Sequence, residues 1–146
     1  MLNNNEFCIR CTRCCRDTEM VLTYMDIGRL TRLEHKGFYK FIRGFYRLVN
    51  IDGHCIFLDP SSGKCVVYEH RPLGCRAYPL IYDERRGIVI DSYCPLSGKI
   101  TCNELAKGIK EVVRALREIA DDYGYVVDWK LVEESSKVIM EKCIDT

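Results

Sequence analysis

The stretch Phe7-Cys8-Ile9-Arg10-Cys11-Thr12-Arg13-Cys14-Cys15-Arg16 places four thiols within eight residues, spaced C-x2-C-x2-C-C. A two-residue gap lets neighbouring thiols converge on one centre, and thiolates select zinc, copper(I) or iron–sulfur clusters. The run is therefore read as the nucleus of a metal or iron–sulfur site that later cysteines complete. Adjacent side chains usually diverge, so the doubled Cys14-Cys15 predicts that one of the two serves a second or bridging position.

Outward from that run, the chain has 146 residues, ten of them cysteine. Its length predicts a single domain over 1–146, with a cysteine-rich region at 7–98 and a helical region at 99–146. Net charge is +1, from 22 basic and 21 acidic residues, so neither nucleic acid nor a membrane surface is expected as partner. No stretch approaches the roughly 18 apolar residues of a membrane span. Met1 to Glu6 lacks the basic and apolar regions of a signal peptide. The expected location is cytoplasmic, where disulfides are disfavoured and clustered cysteines serve metals or redox chemistry.

The pattern predicts an α+β fold with short hairpins and about four packed helices. Thr23 and Asp26 mark a helix start, with Ile27, Leu30 and Leu33 following at helical spacing and Gly37 as its stop. A second helix is expected over 38–48, with Phe38, Phe41, Ile42 and Phe45 as its apolar stripe. Runs 55–58 and 65–68 read as a hairpin about Asp59-Pro60-Ser61-Ser62-Gly63; pairing of residues 57 and 65 would put Cys55 and Cys65 on one face. Pro72 and Pro79 bracket a short helix carrying Cys75. Residues 80–82 and 88–90 form another hairpin, leading into Cys94-Pro95. Thr101-Cys102-Asn103-Glu104 fits a capping box, opening a helix along Leu105, Ile109, Val112, Leu116 and Ile119 that ends at Gly124. A last helix runs from Trp129 to Cys143.

The candidate cofactor and metal ligands are Cys8, Cys11, Cys14, Cys15, Cys55, Cys65, Cys75 and Cys94. A compact triple run with a remote Cys-Pro is similar to part of the ligand pattern of bacterial ferredoxins, although their second C-x2-C-x2-C run is missing here. Arg10 and Arg13, interleaved with the ligands, are expected to offset thiolate charge. His54 and His70 are secondary ligand candidates beside the motif cysteines. Arg71 and Tyr78 are read either as substrate contacts or as locks on the short helix. Cys102, at a helix start, reads as a reactive thiol, an extra ligand or a plain thiol. Cys143 reads as core packing.

The run, Cys55, Cys65, the segment Tyr68-Glu69-x-Arg71-Pro72-x-x-Cys75-Arg76-x-Tyr78-Pro79 and Cys94-Pro95 together resemble the CxxCxxCC family of zinc- or iron-chelating proteins, the YkgJ-like proteins. The resemblance covers residues 7–98. It implies a bound iron–sulfur cluster or zinc, with an iron–sulfur oxidoreductase as the implied enzyme. Flagellin lysine N-methylases are similar in this region, which brings in group transfer, but the C-x3-C-x2-C spacing of radical SAM enzymes is absent. The expected function is metal binding through these cysteines, with a redox role and an unidentified protein or redox partner. The alternatives are an interaction module built on structural zinc and a component of a group-transfer enzyme.

Overall fold

The structure, a computed structural model, describes residues 5–144. It has the expected α+β character, built from helices and three two-stranded antiparallel hairpins. The described residues fall into two compact units that divide between Pro72 and Leu73.

The first unit opens with α1 (Asn5–Cys11), followed by a 3-10 turn over Arg13–Cys15. A helix through the opening run was not among the sequence expectations. Helix α2 (Tyr24–Arg32) begins where predicted. Thr23 Oγ1 accepts from Asp26 N at 3.0 Å, and Asp26 Oδ2 accepts from Thr23 N at 3.1 Å, a complete capping box. The helix stops at Arg32 rather than continuing toward Gly37. Glu34 already takes a left-handed φ of 68°, and its N–H bonds the Thr31 carbonyl at 2.9 Å.

The helix expected over 38–48 is instead a hairpin, β1 (Tyr39–Ile42) paired with β2 (Phe45–Leu48). Arg43 and Gly44 both have positive φ, 50° and 86°, the two-residue turn whose twist suits paired strands. The aromatics then gain cross-strand partners: Tyr39 lies 5.4 Å and Phe41 5.1 Å from the Tyr46 ring. Asp52 and Gly53 repeat that turn, with φ 52° and 80°, between β3 (Asn50–Ile51) and β4 (His54–Cys55). The hairpin expected from 55–58 and 65–68 reduces to a single bridge, Leu58 with Cys65, one residue away from the anticipated pairing. Residues Tyr68–His70 form a 3-10 turn instead of strand. Leu22, Leu30, Phe38, Leu48, Phe57, Leu58 and Val67 are among the buried apolar residues of this unit, with Phe38 and Phe57 ring centroids 5.5 Å apart.

The second unit begins with α3 (Leu73–Ala77), the short helix expected between the two prolines. β5 (Leu80–Asp83) pairs with β6 (Gly87–Ile90), as the alternation predicted. α4 (Cys102–Tyr123) is capped by Thr101, whose Oγ1 accepts from Glu104 N at 3.2 Å, and ends at Gly124 with φ 66°. Leu105, Val112 and Leu116 from α4 pack with Ala77, Leu80, Ile88, Val127 and Val132 in one cluster. Asp128 Oδ1 accepts from Leu131 N at 3.1 Å, capping α5 (Trp129–Ile144).

The attachment of α5 to β6 depends on Gly87. Its φ is +83°, and a Cβ there would stand 2.5 Å from Ser135 Oγ and 2.8 Å from the Leu131 carbonyl oxygen. That close approach lets Ser135 Oγ accept from Ile88 N at 2.9 Å. Gly87→Ala combines an unfavourable φ with backbone overlap. It is expected to destabilise the fold by about 2 kcal/mol or more, read as a lower urea midpoint with an unchanged denaturant slope.

Candidate metal centre

Six of the eight candidate ligands lie in the first unit, and backbone pairing gathers four of them. Arg16 forms an antiparallel bridge with His54, which sets Cys15 against Cys55. Asp17 N donates to the Gly53 carbonyl at 2.8 Å. Asn50 then holds the next residue like a short strand: its Oδ1 accepts from Thr18 N at 3.0 Å, and its Nδ2 donates to the Thr18 carbonyl at 2.8 Å. Farther along, Leu48 N donates to the Met20 carbonyl and Leu22 N to the Tyr46 carbonyl, at 3.0 and 2.8 Å. The segment after the cysteine run is thereby zipped along β2 to β4. The Leu58–Cys65 bridge brings the next thiol-bearing segment alongside.

Gly63 sets the other side. Its φ is +75°, and a Cβ there would overlap the carbonyl group of Ile9 in α1. Only glycine permits this contact, so the 59–64 turn rests directly on the helix that carries Cys8 and Cys11. Those two thiols sit three residues apart, on one helical face.

Cys14 and Cys15 do not diverge as their adjacency suggested. Thr12 takes a left-handed φ of 52°, and Cys15 N bonds the Thr12 carbonyl at 3.1 Å. This tight turn lets the Cys14 thiol hydrogen-bond to Cys15. The pKa of Cys14 is driven far up, first by that bond, then by withdrawal from water and by the Cys15 charge. The residue as a whole is exposed, while protein atoms crowd its sulfur. The ionisation follows the sulfur's surroundings rather than the residue's outline. Cys55 is buried, and burial pushes its thiol from 9.0 up to about 11, with Cys65 and Cys14 adding repulsion. Cys65 is raised as well, chiefly by burial, with Cys14 again adding repulsion. Cys14 thus interacts electrostatically with Cys15, Cys55 and Cys65.

The cation facing these thiols is Arg71, whose charge opposes the upward shifts of Cys14 and Cys65. Arg10 and Arg13, the residues expected to compensate charge, are exposed. Arg71 is held from several sides. Its Nε donates to the Tyr68 carbonyl at 2.9 Å, and its guanidinium lies 4.0 Å over the Tyr68 ring. Its own carbonyl accepts from Arg29 Nη2 at 3.0 Å. Arg29 in turn pairs at 2.9 Å with Asp26, which is fully buried. Asn50 and Arg29 carry no signal in the sequence, since their roles arise from contacts 32 and 42 residues away. Arg71 was legible as a motif residue, but its role as the cation beside the thiols was not.

His54 Nδ1 lies 3.0 Å from the Cys55 carbonyl oxygen, a backbone contact. His70 is exposed, and its carbonyl accepts from Arg29 at 3.3 Å.

Cys75 and Cys94 lie in the second unit, Cys75 on α3 and Cys94 on the turn after β6. Asp91 shapes that turn. Its Oδ1 accepts from Tyr93 N at 3.0 Å, its Oδ2 accepts from Tyr78 Oη at 2.7 Å, and its carbonyl accepts from Cys94 N at 3.2 Å. Tyr78 therefore secures the Cys94 turn by its hydroxyl. The two cysteines outside the candidate set are joined to each other. Cys102 and Cys143 form a disulfide, which corrects the readings of Cys102 as a ligand or free thiol and of Cys143 as simple packing. Their Cα atoms are 5.8 Å apart across 41 residues of sequence, a span that a disulfide readily bridges.

Among the described residues, no three Cys, His, Asp or Glu side chains stand as a ready coordination sphere. The chemistry of the donors nevertheless suits a soft or borderline cation. Cys14 interacts with Cys15, Cys55 and Cys65, Cys55 also with Cys65, and the Arg71 guanidinium favours the thiolate at Cys14 and Cys65. Among the described residues, no helix is long and apolar enough to cross a membrane.

Comparison with known proteins agrees with this donor chemistry. The chain is 33% identical over 94 residues to the uncharacterized protein MJ0661 of Methanocaldococcus jannaschii, covering 59% of this chain and 50% of that one. It thus spans about half the length of that relative. No solved structure matches the chain. Residues 7–95 match the family model CxxCxxCC, described as "Putative zinc- or iron-chelating domain". Because that match covers most of the chain, including every candidate ligand, the protein belongs to the CxxCxxCC family.

Proposed function

We propose that the first unit holds iron as a thiolate-bound iron–sulfur cluster and serves electron transfer to a protein or small redox partner. The observation that carries this reading is the electrostatic coupling of Cys14 to Cys15, Cys55 and Cys65, with Arg71 favouring the thiolate at Cys14 and Cys65. Cys8 and Cys11 are the next donors, because Gly63 seats their helix against the turn leading to Cys65. Cys75 and Cys94 are the candidate ligands of the second unit. The compact spacing of the opening run favours a cluster over a zinc ribbon. The eight cysteines outside the disulfide suit a reducing compartment, the cytoplasm.

The cluster supplies one-electron chemistry when bound. The chain's contribution is electrostatic and positional. The raised pKa values of Cys14, Cys55 and Cys65 favour their protonated forms, so metal binding there must displace protons. Arg71 favours the thiolate form at Cys14 and Cys65 and partly offsets the charge that gathers there. Asp26 and Arg29 keep the Arg71 backbone in place, so the cation does not have to be ordered when the metal arrives.

A structural-zinc reading has one observation of its own. β3 and β4 have two residues each, and such short strands need additional cross-linking to persist. Anaerobic purification followed by metal analysis and an absorption spectrum on one sample separates the readings. Iron with sulfide and visible charge-transfer bands, bleached by Cys14→Ser or Cys65→Ser, is the expected result. A colourless protein with stoichiometric zinc overturns the cluster.

Arg71→Ala should lower metal retention about tenfold or more while leaving the far-ultraviolet spectrum unchanged, with Arg71→Lys restoring part of it. Retention equal to the unmodified protein would remove Arg71 from the site. Apparent metal affinity should rise with pH between 6 and 8, about tenfold per unit for each proton displaced, as measured by competition with a chromogenic chelator.

The metal-free protein should show the opposite trend at high pH. Cys55 keeps its proton longer in the fold than in the unfolded chain, so its contribution is complete below pH 9.0 and is lost toward about 11. The loss is on the order of 3 kcal/mol, visible as a falling thermal midpoint in chelator and reductant.

A further inference from the structure

The Cys102–Cys143 disulfide ties the first residue of α4 to the last turn of α5. The two halves of α5 are held very differently. Its first half is anchored by buried Val132 and by the Ser135 bond to Ile88 N. Over 133–143 no residue of the helix is buried: Ile139, Met140 and Cys143 are only partly covered, and Val138 is 49% exposed. The last two turns meet the core only through the partly buried Ile139, Met140 and Cys143, so the covalent link adds to a limited apolar fastening. Cys102 itself is an exposed residue, the more open of the two partners in the disulfide. It also stands at the start of a 22-residue helix, where the aligned backbone dipoles favour a thiolate. The disulfide forms part of the wall of a cleft of about 730 Å³, lined also by Ile88, Ile90, Leu105 and Ile139.

We propose that Cys102–Cys143 is a thiol–disulfide exchange site, separate from the candidate metal ligands, that takes a dithiol reductant and thereby releases the C-terminal half of α5. A thiolate of the dithiol attacks Cys102 Sγ. The Cys102–Cys143 bond breaks, and Cys143 leaves as a thiolate that takes a proton from water. The second thiol of the reductant loses its proton and attacks its own sulfur in the mixed disulfide, expelling Cys102. The dithiol becomes a disulfide and gives up two electrons, and the protein pair gains them. In the reverse direction the Cys102 thiolate is the attacking group and Cys143 resolves the intermediate. The cleft loses one covalently fixed wall when the pair is reduced.

The test uses the full chain in buffers of reduced and oxidised dithiothreitol, with acid quenching, differential alkylation and peptide mass spectrometry. Cys102 and Cys143 should become alkylated together along a single two-electron transition, and glutathione should be trapped on Cys102 rather than Cys143. Amide deuterium exchange over residues 136–143 should accelerate at least tenfold on reduction, while residues 105–116 of α4 stay protected. A Cys102→Ser, Cys143→Ser double variant should show the fast exchange without reductant. Should that variant fail to fold, the unmodified chain with and without reductant is sufficient. The proposal is overturned if both thiols alkylate without reductant, if the bond resists reduction until the whole chain unfolds, or if exchange over 136–143 does not change.

Discussion

The ion pair between buried Asp26 and partly buried Arg29 links two distant segments of the first unit. A carboxylate removed from water must be satisfied by strong partners. Asp26 finds them in the Thr23 amide and the Arg29 guanidinium, and so starts helix α2 while holding a cation. Arg29 passes that order on by binding the carbonyls of His70 and Arg71, more than 40 residues later. The turn it grips presents Arg71 to Cys14 and Cys65. A helix cap and the electrostatics of a thiol cluster are thus joined by a single guanidinium. Removing the Asp26 carboxylate would leave Arg29 partly buried without its counter-charge and loosen both ends at once.

The ten cysteines divide by environment. Eight stand outside the disulfide, and in the first unit burial and mutual repulsion oppose ionisation of Cys14, Cys55 and Cys65. That energetic cost is what a bound cation relieves, and it makes these three chemically unlike a set of isolated buried thiols. The other two are joined to each other and fasten two helices. One chain therefore uses sulfur in two ways, and the distinction follows from which segments the fold brings together.

Features set by near neighbours in sequence were readable in advance. The Thr23–Asp26 cap, the 80–90 hairpin, the short helix between Pro72 and Pro79 and the Gly124 stop each depend on a few adjacent residues. The 38–48 segment was misread because Phe38, Phe41, Ile42 and Phe45 satisfy a helical stripe while Tyr39, Phe41 and Tyr46 suit paired strands. Gly44 decides between them, since a positive φ at its position makes a hairpin turn and breaks a helix. The cysteines could be recognised as ligand candidates from their spacing alone. Their grouping could not, because it rests on Arg16 meeting His54 and Leu58 meeting Cys65, pairings that no local pattern encodes. The Cys102–Cys143 bond was hidden for the same reason.

Asn50 draws these long-range contacts to one point. Its backbone faces Cys55 across β3 and β4, and its side-chain amide grips both backbone groups of Thr18. An amide that donates and accepts at once matches only one alignment of the two segments. Sliding by a single residue would present a donor to a donor and turn every side chain to the opposite face. Asn50 consequently acts as a ruler: it converts a choice of strand alignment into the separation between the Cys14–Cys15 pair and Cys55. The alignment of thiol-bearing segments is thus inherited from an uncharged side chain that hydrogen-bonds the backbone of Thr18.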